Sequence, residues 1–417
     1  MAMPSATPRP YDVVIAGGSF AGLALALAIV RAEGSDLSVA VLERSALAPS
    51  EGGRGADPRA FALSAGSRGL LDAIGVWPAL SDAAQPVSGV DITDSALGDV
   101  MRPVLLSYAT VVDGRPQMLI VEADRLRDAL IAAVRDEARI AIMAPADVVG
   151  VGAVSGARTV RLADGRSVGA RLLVAADGAR SRVREMSGIG IVGGSYRQRG
   201  IATIVRHERD HEGRAVQHFL PAGPFALLPL PGRRSCITWS EAEDSAQRIM
   251  ALDDAAFLDE LQNRAGWRLG EMSLDGPRAC WPLGSHLARS LVAHRLALLG
   301  DAVRSVHPIA GQGVNLGFRD VAALAEVLID GARLGLEAGD ATVLERYERW
   351  RRADGVQSAA AFGALNALFS NDWMALRTLR DAGLGAVDRM PGLKSLLVAE
   401  AAGMTGDVPR LLSGEPL

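Results

Sequence analysis

Apolar positions in this chain cluster into short runs near both ends and alternate with polar ones in the middle. Residues 11–16, Tyr11-Asp12-Val13-Val14-Ile15-Ala16, form a β-branched run of the kind found in parallel strands buried on both faces. Gly17-Gly18-Ser19-Phe20-Ala21-Gly22 follows, and residues 23–30 continue as an Ala/Leu-rich stretch that predicts a helix. Residues 37–42 predict a second strand, which ends at Glu43. A helix is expected over 121–135, where Leu126, Leu130 and Val134 share one face. Residues 148–168 read as a hairpin through Asp164-Gly165, ahead of a strand at 172–176. From about 191 to 282 the pattern shifts to strands, including 200–205, 215–220 and 235–240, with a helix over 255–264. A late apolar strand reaches Leu298-Leu299, and a helix over 315–332 follows a Gly/Pro-rich loop. The chain from 341 onward reads as helical.

Two of these junctions carry chemistry. The first is strand, glycine turn and helix, with an acidic residue about 20 positions beyond the turn, as a dinucleotide requires. Gly17, Gly18 and Gly22 would let the backbone approach a pyrophosphate, and Glu43, with Arg44 beside it, would meet the adenosine ribose. Ser19 stands at the middle glycine position of that fingerprint, so the match is imperfect. The second junction is Gly300-Asp301-Ala302, then His307-Pro308, then Gly311-Gln312-Gly313-Val314-Asn315 at the start of a helix. Backbone N–H groups gathered at such a helix start favour an anion or an electron-rich ring edge. Between them lies Ala176-Asp177-Gly178-Ala179-Arg180-Ser181, in which Asp177 is expected to brace a turn.

Together the glycine turn ending in Glu43, the Ala-Asp-Gly-Ala-x-Ser segment and the Gly300-Asp301 loop resemble the flavoprotein aromatic hydroxylases of the para-hydroxybenzoate hydroxylase superfamily. Within it the chain is most similar to the ubiquinone-biosynthesis hydroxylases. The similarity extends through Arg59-Ala60-Phe61-Ala62-Leu63-Ser64, Leu71 to Trp77, Gly223 to Leu230 and Tyr347 to Arg352. The resemblance implies an α/β fold: an interrupted Rossmann-type FAD domain, a β-sheet substrate domain and C-terminal helices. On this reading residues 1–85, 119–190 and 291–340 form the FAD domain. Residues 86–118 and 191–290 form the substrate domain, and 341–417 a helical region.

The resemblance also implies roles. FAD is the expected cofactor, held by Gly17, Gly18, Ser19, Gly22, Glu43 and Arg44 at one end and by Asp301, Gly311, Gly313, Val314 and Asn315 at the other. Reduced FAD and O₂ would give a flavin C4a-hydroperoxide that hydroxylates a phenolic ring. His307 and Pro308 would shape the reactive face, although His307 reads equally well as a packed histidine. Arg59 would govern flavin position or reductant access, or else be a surface arginine flanking a helix. Phe225, Leu227 and Pro229 would line a greasy substrate pocket, or belong to an ordinary core strand. The family usually has Asn or Arg where this chain has Ala123, so Arg125 is carried as a substitute contact. The expected substrate is a polyprenylated phenol of ubiquinone biosynthesis. A single glycine fingerprint leaves no second dinucleotide unit, so electrons are expected from an external donor, NAD(P)H or a reductase or ferredoxin. A soluble aromatic substrate, an isoprenoid reductase of the same fold and a non-catalytic flavoprotein subunit are the alternatives.

Composition trims this picture without redirecting it. A formal net charge of −4 with no basic block argues against nucleic acid as a partner. Cys236 and Cys280 have no metal-like spacing and fit a reducing cytoplasm. No metal is expected: His207, Glu208, His211 and Glu212 sit in a charged run, 206–214, that reads as a solvated hairpin tip. The first ten residues lack an apolar core, so no secretory signal is expected. Residues 362–379 mix Leu, Phe, Trp and Met with charges. An apolar face there would reach a membrane surface, or else belong to a cap helix or homodimer face packed on the flavin domain; a ubiquinone-biosynthetic complex is a further expected partner.

Overall fold

The computed structural model describes residues 9–50, 57–94, 103–154, 156–307, 313–352 and 406–417. Pro308, Gly311 and the 362–379 face lie outside them. The β-branched run at 11–16 becomes β1 (Tyr11–Ala16), whose last four residues are buried. It lies parallel to β2 (Val39–Leu42) on one side and to the strand Ser167–Ala175 on the other. The sheet continues through Ile140–Met143 beyond β2, and Leu296–Leu298 pairs in parallel with the far end of Ser167–Ala175. All carboxyl ends of these parallel strands therefore point to one edge, where ligands of open α/β sheets bind. The 148–168 hairpin is instead a meander. Val148–Val154 pairs with Ala157–Leu162, which pairs with Ser167–Ala175, so the strand expected at 172 starts five residues earlier.

Helix α1 (Phe20–Val30) is buried over its last nine residues, because it is sandwiched between the sheet and other helices. α2 (Ala65–Ala73) is capped by Ser64, whose side chain accepts from the Ser67 N–H. α3 (Ala123–Arg135) turns Leu126, Leu130 and Val134 inward, as their spacing demands. The residues just before it form a strand, Met118–Glu122, which pairs with β3 (Ala60–Ser64) in a small separate sheet.

A nine-stranded sheet makes the second layer. Its centre is the long strand Ile191–His207, flanked by Arg234–Ala242 and Ala279–Ala288. After a short α4 (Arg182–Met186), helices α5 (Glu243–Met250) and α6 (Asp254–Ala265) cover one face of this sheet. The chain then returns to the first sheet, but not cleanly: Arg304–Ser305 adds to the second sheet by pairing with Ala279–Ala288. α7 (Gly313–Arg333) packs along α1 and closes the first layer. Residues 341–352 are helical. Among the described residues no helix is long and apolar enough to cross a membrane.

The charged run at 206–214 is exposed at Arg206, Glu208, Arg209, Asp210 and Glu212, as a solvated tip would be, but its two histidines turn inward. His207 and His211 are both buried, their rings edge to face at 5.6 Å. The His207 ring bonds to the Arg209 carbonyl and the Ser235 hydroxyl, and the His211 ring to the Leu230 carbonyl. These bonds occupy ring nitrogens, and among the described residues no cluster suited to a metal ion exists.

Candidate functional site

The glycine turn has the geometry its sequence demands. Gly17 adopts φ +119°, and a Cβ there would lie 2.2 Å from the Ala176 carbonyl oxygen. A Cβ on Gly22 would lie 2.0 Å from the Gly17 carbonyl oxygen, which is the close helix–strand packing the third glycine serves. Ser19 caps α1 without a side-chain hydrogen bond, and no acidic residue sits in the first turn. The first N–H groups of α1 thus lack a side-chain acceptor and suit a pyrophosphate. Glu43 stands at the carboxyl end of β2. Its carboxylate accepts from the Gly18 N–H at 2.7 Å and the Ser45 N–H at 3.1 Å, which fixes it beside the turn. Arg44 is exposed.

The distant Gly-Asp turn arrives at the same place. Gly300, at φ +59°, packs against α1 and α7: a Cβ on it would make van der Waals contact, 3.4 Å from Ala21 Cβ and 3.8 Å from Gly317 Cα. Asn315, in the first turn of α7, accepts from the Ser64 N–H at 3.0 Å and the Ser67 hydroxyl at 2.7 Å, and donates to the Ala62 carbonyl at 2.8 Å. Its side chain is thereby committed to structure, leaving the backbone of Gly313, Val314 and Asn315 as the donors for a ligand. Gly313 has open space where a side chain would stand.

Asp301 is open to water yet enclosed by protein on nearly every side, the situation of a group on a cleft floor. That enclosure pushes its carboxyl up to about 6, against the opposing pull of Arg59 and Arg304. Arg59 faces the same cleft. Asp57 holds it bidentately at 2.8 and 2.6 Å, between the rings of Phe61 and Trp281. With Phe20, Pro58, Ala123, Asp124, Arg127 and Ala279, the side chains of Asp57, Arg59 and Trp281 line a cavity of about 440 Å³. Arg59 is therefore a wall of the cleft and not a free surface arginine.

Three expectations need correction. Arg125 is exposed and points away from the cleft. The cation there is Arg127, one helical turn from Ala123 and so on the same face of α3. Arg127 donates to the Ser50 hydroxyl at 3.1 Å, and its buried Nε has no acceptor. Secondly, Phe225 and Leu227 do not line a pocket. They belong to the core under α5 and α6, with Trp239 and Phe257. Strand residues alternate between faces, so Pro229 shares their side and Pro224, Ala226 and Leu228 take the other. That other face runs toward the cleft. Leu228 packs with Ala60, Ala62 and Ile120, and the Cys236 thiol reaches the Pro58 carbonyl at 3.4 Å. Thirdly, His307 is fully buried, with its ring at 5.1 Å from Tyr196 and its Nε2 3.3 Å from Gln198 Oε1. Burial lowers its pKa to about 4, so the ring is neutral at pH 7, and Nδ1 has no partner. Asp177, as expected, braces its turn by accepting from the Val183 N–H at 3.1 Å.

A glycine turn at one end of a cleft and a Gly-Asp turn with a helix start at the other define a flavin-dinucleotide fold. The comparisons agree. A family model described as FAD binding domain matches residues 10–361. The ubiquinone hydroxylase UbiL of Rhodospirillum rubrum is 40% identical over 97% of this chain and 93% of that protein. The 3-demethoxyubiquinol 3-hydroxylase of Escherichia coli is 31% identical over 95% of this chain and 100% of that protein. Among solved structures, p-nitrophenol 4-monooxygenase PnpA from Pseudomonas putida superposes with a TM-score of 0.77 at 20% identity. It covers 95% of this chain and 98% of that one, and so shares the fold. The protein is an FAD-dependent aromatic monooxygenase. It belongs to the family of ubiquinone-biosynthesis hydroxylases.

Two outcomes follow from this geometry. Arg127→Ala should weaken FAD binding at least tenfold, about 1.4 kcal/mol, whereas Arg125→Ala should leave it unchanged. Fluorescence titration of apoprotein with FAD reads both, and equal effects would contradict the assignment. For Asp301, the unfolded chain releases its proton near 3.8, while the folded carboxyl keeps it to about 6. Its stabilising contribution to the apoprotein is therefore full below pH 3.8 and lost as pH rises through 6. His307 acts oppositely, costing stability as pH falls from 6.5 toward 4, but it is common to both proteins compared. The melting temperature of the wild-type apoprotein should thus fall relative to Asp301→Asn between pH 4 and 6.5. A constant difference would refute the raised pKa.

Proposed function

We propose that the protein hydroxylates the aromatic ring of a polyprenylated phenol on the way to ubiquinone. Ring C–H, O₂, two electrons and two protons become ring C–OH and water, with the electrons supplied by an external donor, NAD(P)H or a reductase. Bound FAD supplies the activation of O₂. Gly17, Gly18 and Gly22 bind its pyrophosphate and Glu43 its adenosine ribose. Asp301 binds the ribityl side, and the start of α7 donates N–H groups to the ring edge, where they favour negative charge.

The observation that carries this reading is the cleft between the two sheets. Its walls are Phe20, Pro58, Arg59, Ala279 and Trp281, mostly apolar, and the charge of Arg59 in that wall acts on Asp301 at the carboxyl edge of the parallel strands. Trp281 packs so tightly over Gly200 that a Cβ there would lie 2.9 Å from its ring, and the apolar walls keep water from the oxidising chemistry. His307, neutral and enclosed, offers one unfilled hydrogen-bonding position without placing a charge near the substrate. The names of the relatives, a ubiquinone hydroxylase and a demethoxyubiquinol hydroxylase, support the substrate class. A polyprenyl tail would draw the protein to a membrane surface as a peripheral partner, alone, as a homodimer or within a biosynthetic complex.

Deleting the gene in its host and analysing quinones by mass spectrometry tests the proposal. A prenylated precursor lacking one ring oxygen should accumulate, and the wild-type gene should restore label from ¹⁸O₂ at that position while Asp301→Ala does not. A normal quinone pool in the deletion strain would overturn it.

A further inference from the structure

The sheet face that meets the cleft continues past the wall formed by Trp281. In the pairing of 191–207 with 279–288, Gly200 stands opposite Trp281 and Gln198 opposite Leu283. Side chains alternate along a strand, so Gln198 shares the face of Gly200 and Trp281, ~7 Å farther along. Ile201 and Val205 turn the other way, into the core under α5 and α6. The register slips between Ser195 and Gln198, and Arg197 within that bulge holds φ +53°. Bulges re-aim the side chains beside them, and a non-glycine residue in the left-handed region is retained at a cost. Here the re-aimed side chains meet His307. The Tyr196 ring lies edge to face with the histidine at 5.1 Å, and Gln198 Oε1 is 3.3 Å from His307 Nε2.

The contact with Gln198 has a fixed direction. Gln198 Nε2 donates to the Ala222 carbonyl at 2.7 Å, and a carbonyl only accepts. The amide nitrogen therefore faces Ala222, and the amide oxygen faces His307. Glycine at 223 leaves room for that amide, since a Cβ there would lie 3.0 Å from Gln198 Nε2. An amide oxygen is an acceptor, so His307 Nε2 carries the proton of the ring. Burial keeps the ring neutral, with its pKa lowered to about 4, and Nδ1 is then a bare acceptor. His307 is wholly buried, and its Nδ1 meets no donor among the described residues. A buried acceptor left without a donor is costly, and a ligand that brings one offsets that cost.

We infer that Gln198 is a positioning residue that fixes the Nε2–H tautomer of His307, and that His307 Nδ1 accepts a hydrogen bond from the ring hydroxyl of the substrate. This role presupposes the phenolic substrate proposed above and adds the group that holds its hydroxyl. A phenol, with a pKa of about 10, keeps its proton against so weak a base, so the bond polarises the O–H without ionising it. Electron density then rises on the ring carbons ortho and para to that hydroxyl, which are the carbons an electrophilic oxygen attacks.

The test uses the full-length protein with FAD bound. ¹⁵N NMR of the histidine rings reads the tautomer without turnover, and the His307 signals are those lost in His307→Phe. The wild type should carry the proton on Nε2. Gln198→Leu, which removes the acceptor, should move the proton to Nδ1 or divide it between the two nitrogens. Binding of 2-prenylphenol and of its methyl ether, which lacks the donor, is read from the change in flavin absorbance. The wild type should bind the phenol roughly tenfold tighter than the ether, and Gln198→Leu and His307→Phe should each erase that preference. A general loss of packing would weaken both ligands alike and leave their ratio unchanged. The two wild-type measurements decide the matter should a variant fail to fold. A proton on Nδ1 in the wild type, equal binding of phenol and ether, or a preference that survives both substitutions overturns the inference, while incorporation of ¹⁸O₂ into the quinone would still stand. A wild type that binds neither ligand overturns the substrate reading and this role with it.

Discussion

The contact of Gly300 with Ala21 and Gly317 is the constraint on which this structure turns. It joins the first helix, the Gly-Asp turn and the last core helix, segments nearly 300 residues apart in sequence, in van der Waals contact around a Gly300 backbone at φ +59°, a conformation that favours glycine. Asn315 secures the join from the other side with three hydrogen bonds to Ala62, Ser64 and Ser67. A Cβ fits at Gly300 and Gly317, but a side chain much larger than alanine would press α7 away from α1. Sheet order and helix packing then place the glycine turn and the Gly300–Ala302 turn at the same carboxyl edge of the parallel strands.

What surrounds that join explains the division of labour in the molecule. Buried polar groups near the cleft are mostly satisfied by one another: Arg59 by Asp57, Asp320 by Arg304 and Arg351, Arg184 by the Ala302 carbonyl. Such pairs hold the Gly300–Ala302 turn rigid from behind, while the front is left to Asp301, whose proton is held unusually tightly. Fixed dipoles and an apolar cleft are what a flavin monooxygenase needs from its protein, since the cofactor carries the oxidation itself.

The parts legible in the sequence were those where backbone geometry dictates residue type. Gly17 and Gly22 leave no room for a Cβ, Gly17 and Gly300 hold positive φ, and the parallel strands announce themselves as β-branched runs. Less legible was anything set by which neighbour covers a face. The segment 223–230 is apolar throughout, so its sequence does not say that α5 and α6 claim Phe225 and Leu227 while the cleft side receives Ala226 and Leu228. The charged run 206–214 concealed two buried histidines because their acceptors, Leu230 and Ser235, come from other strands. Helix phase alone favoured Arg127 over Arg125, since four residues return to the face of Ala123. The buried meeting of Arg304, Asp320 and Arg351 is announced by no local pattern either.

The central claim is that remote segments at the two ends of the chain grip a single FAD. Titrating apoprotein with FAD tests it most directly when Gly22→Ala, at the first segment, and Asp301→Ala, at the second, are compared with the wild type. Each substitution should raise the dissociation constant tenfold or more while the folded far-ultraviolet spectrum persists. An Asp301→Ala protein that is folded and binds FAD as tightly as the wild type would contradict the account.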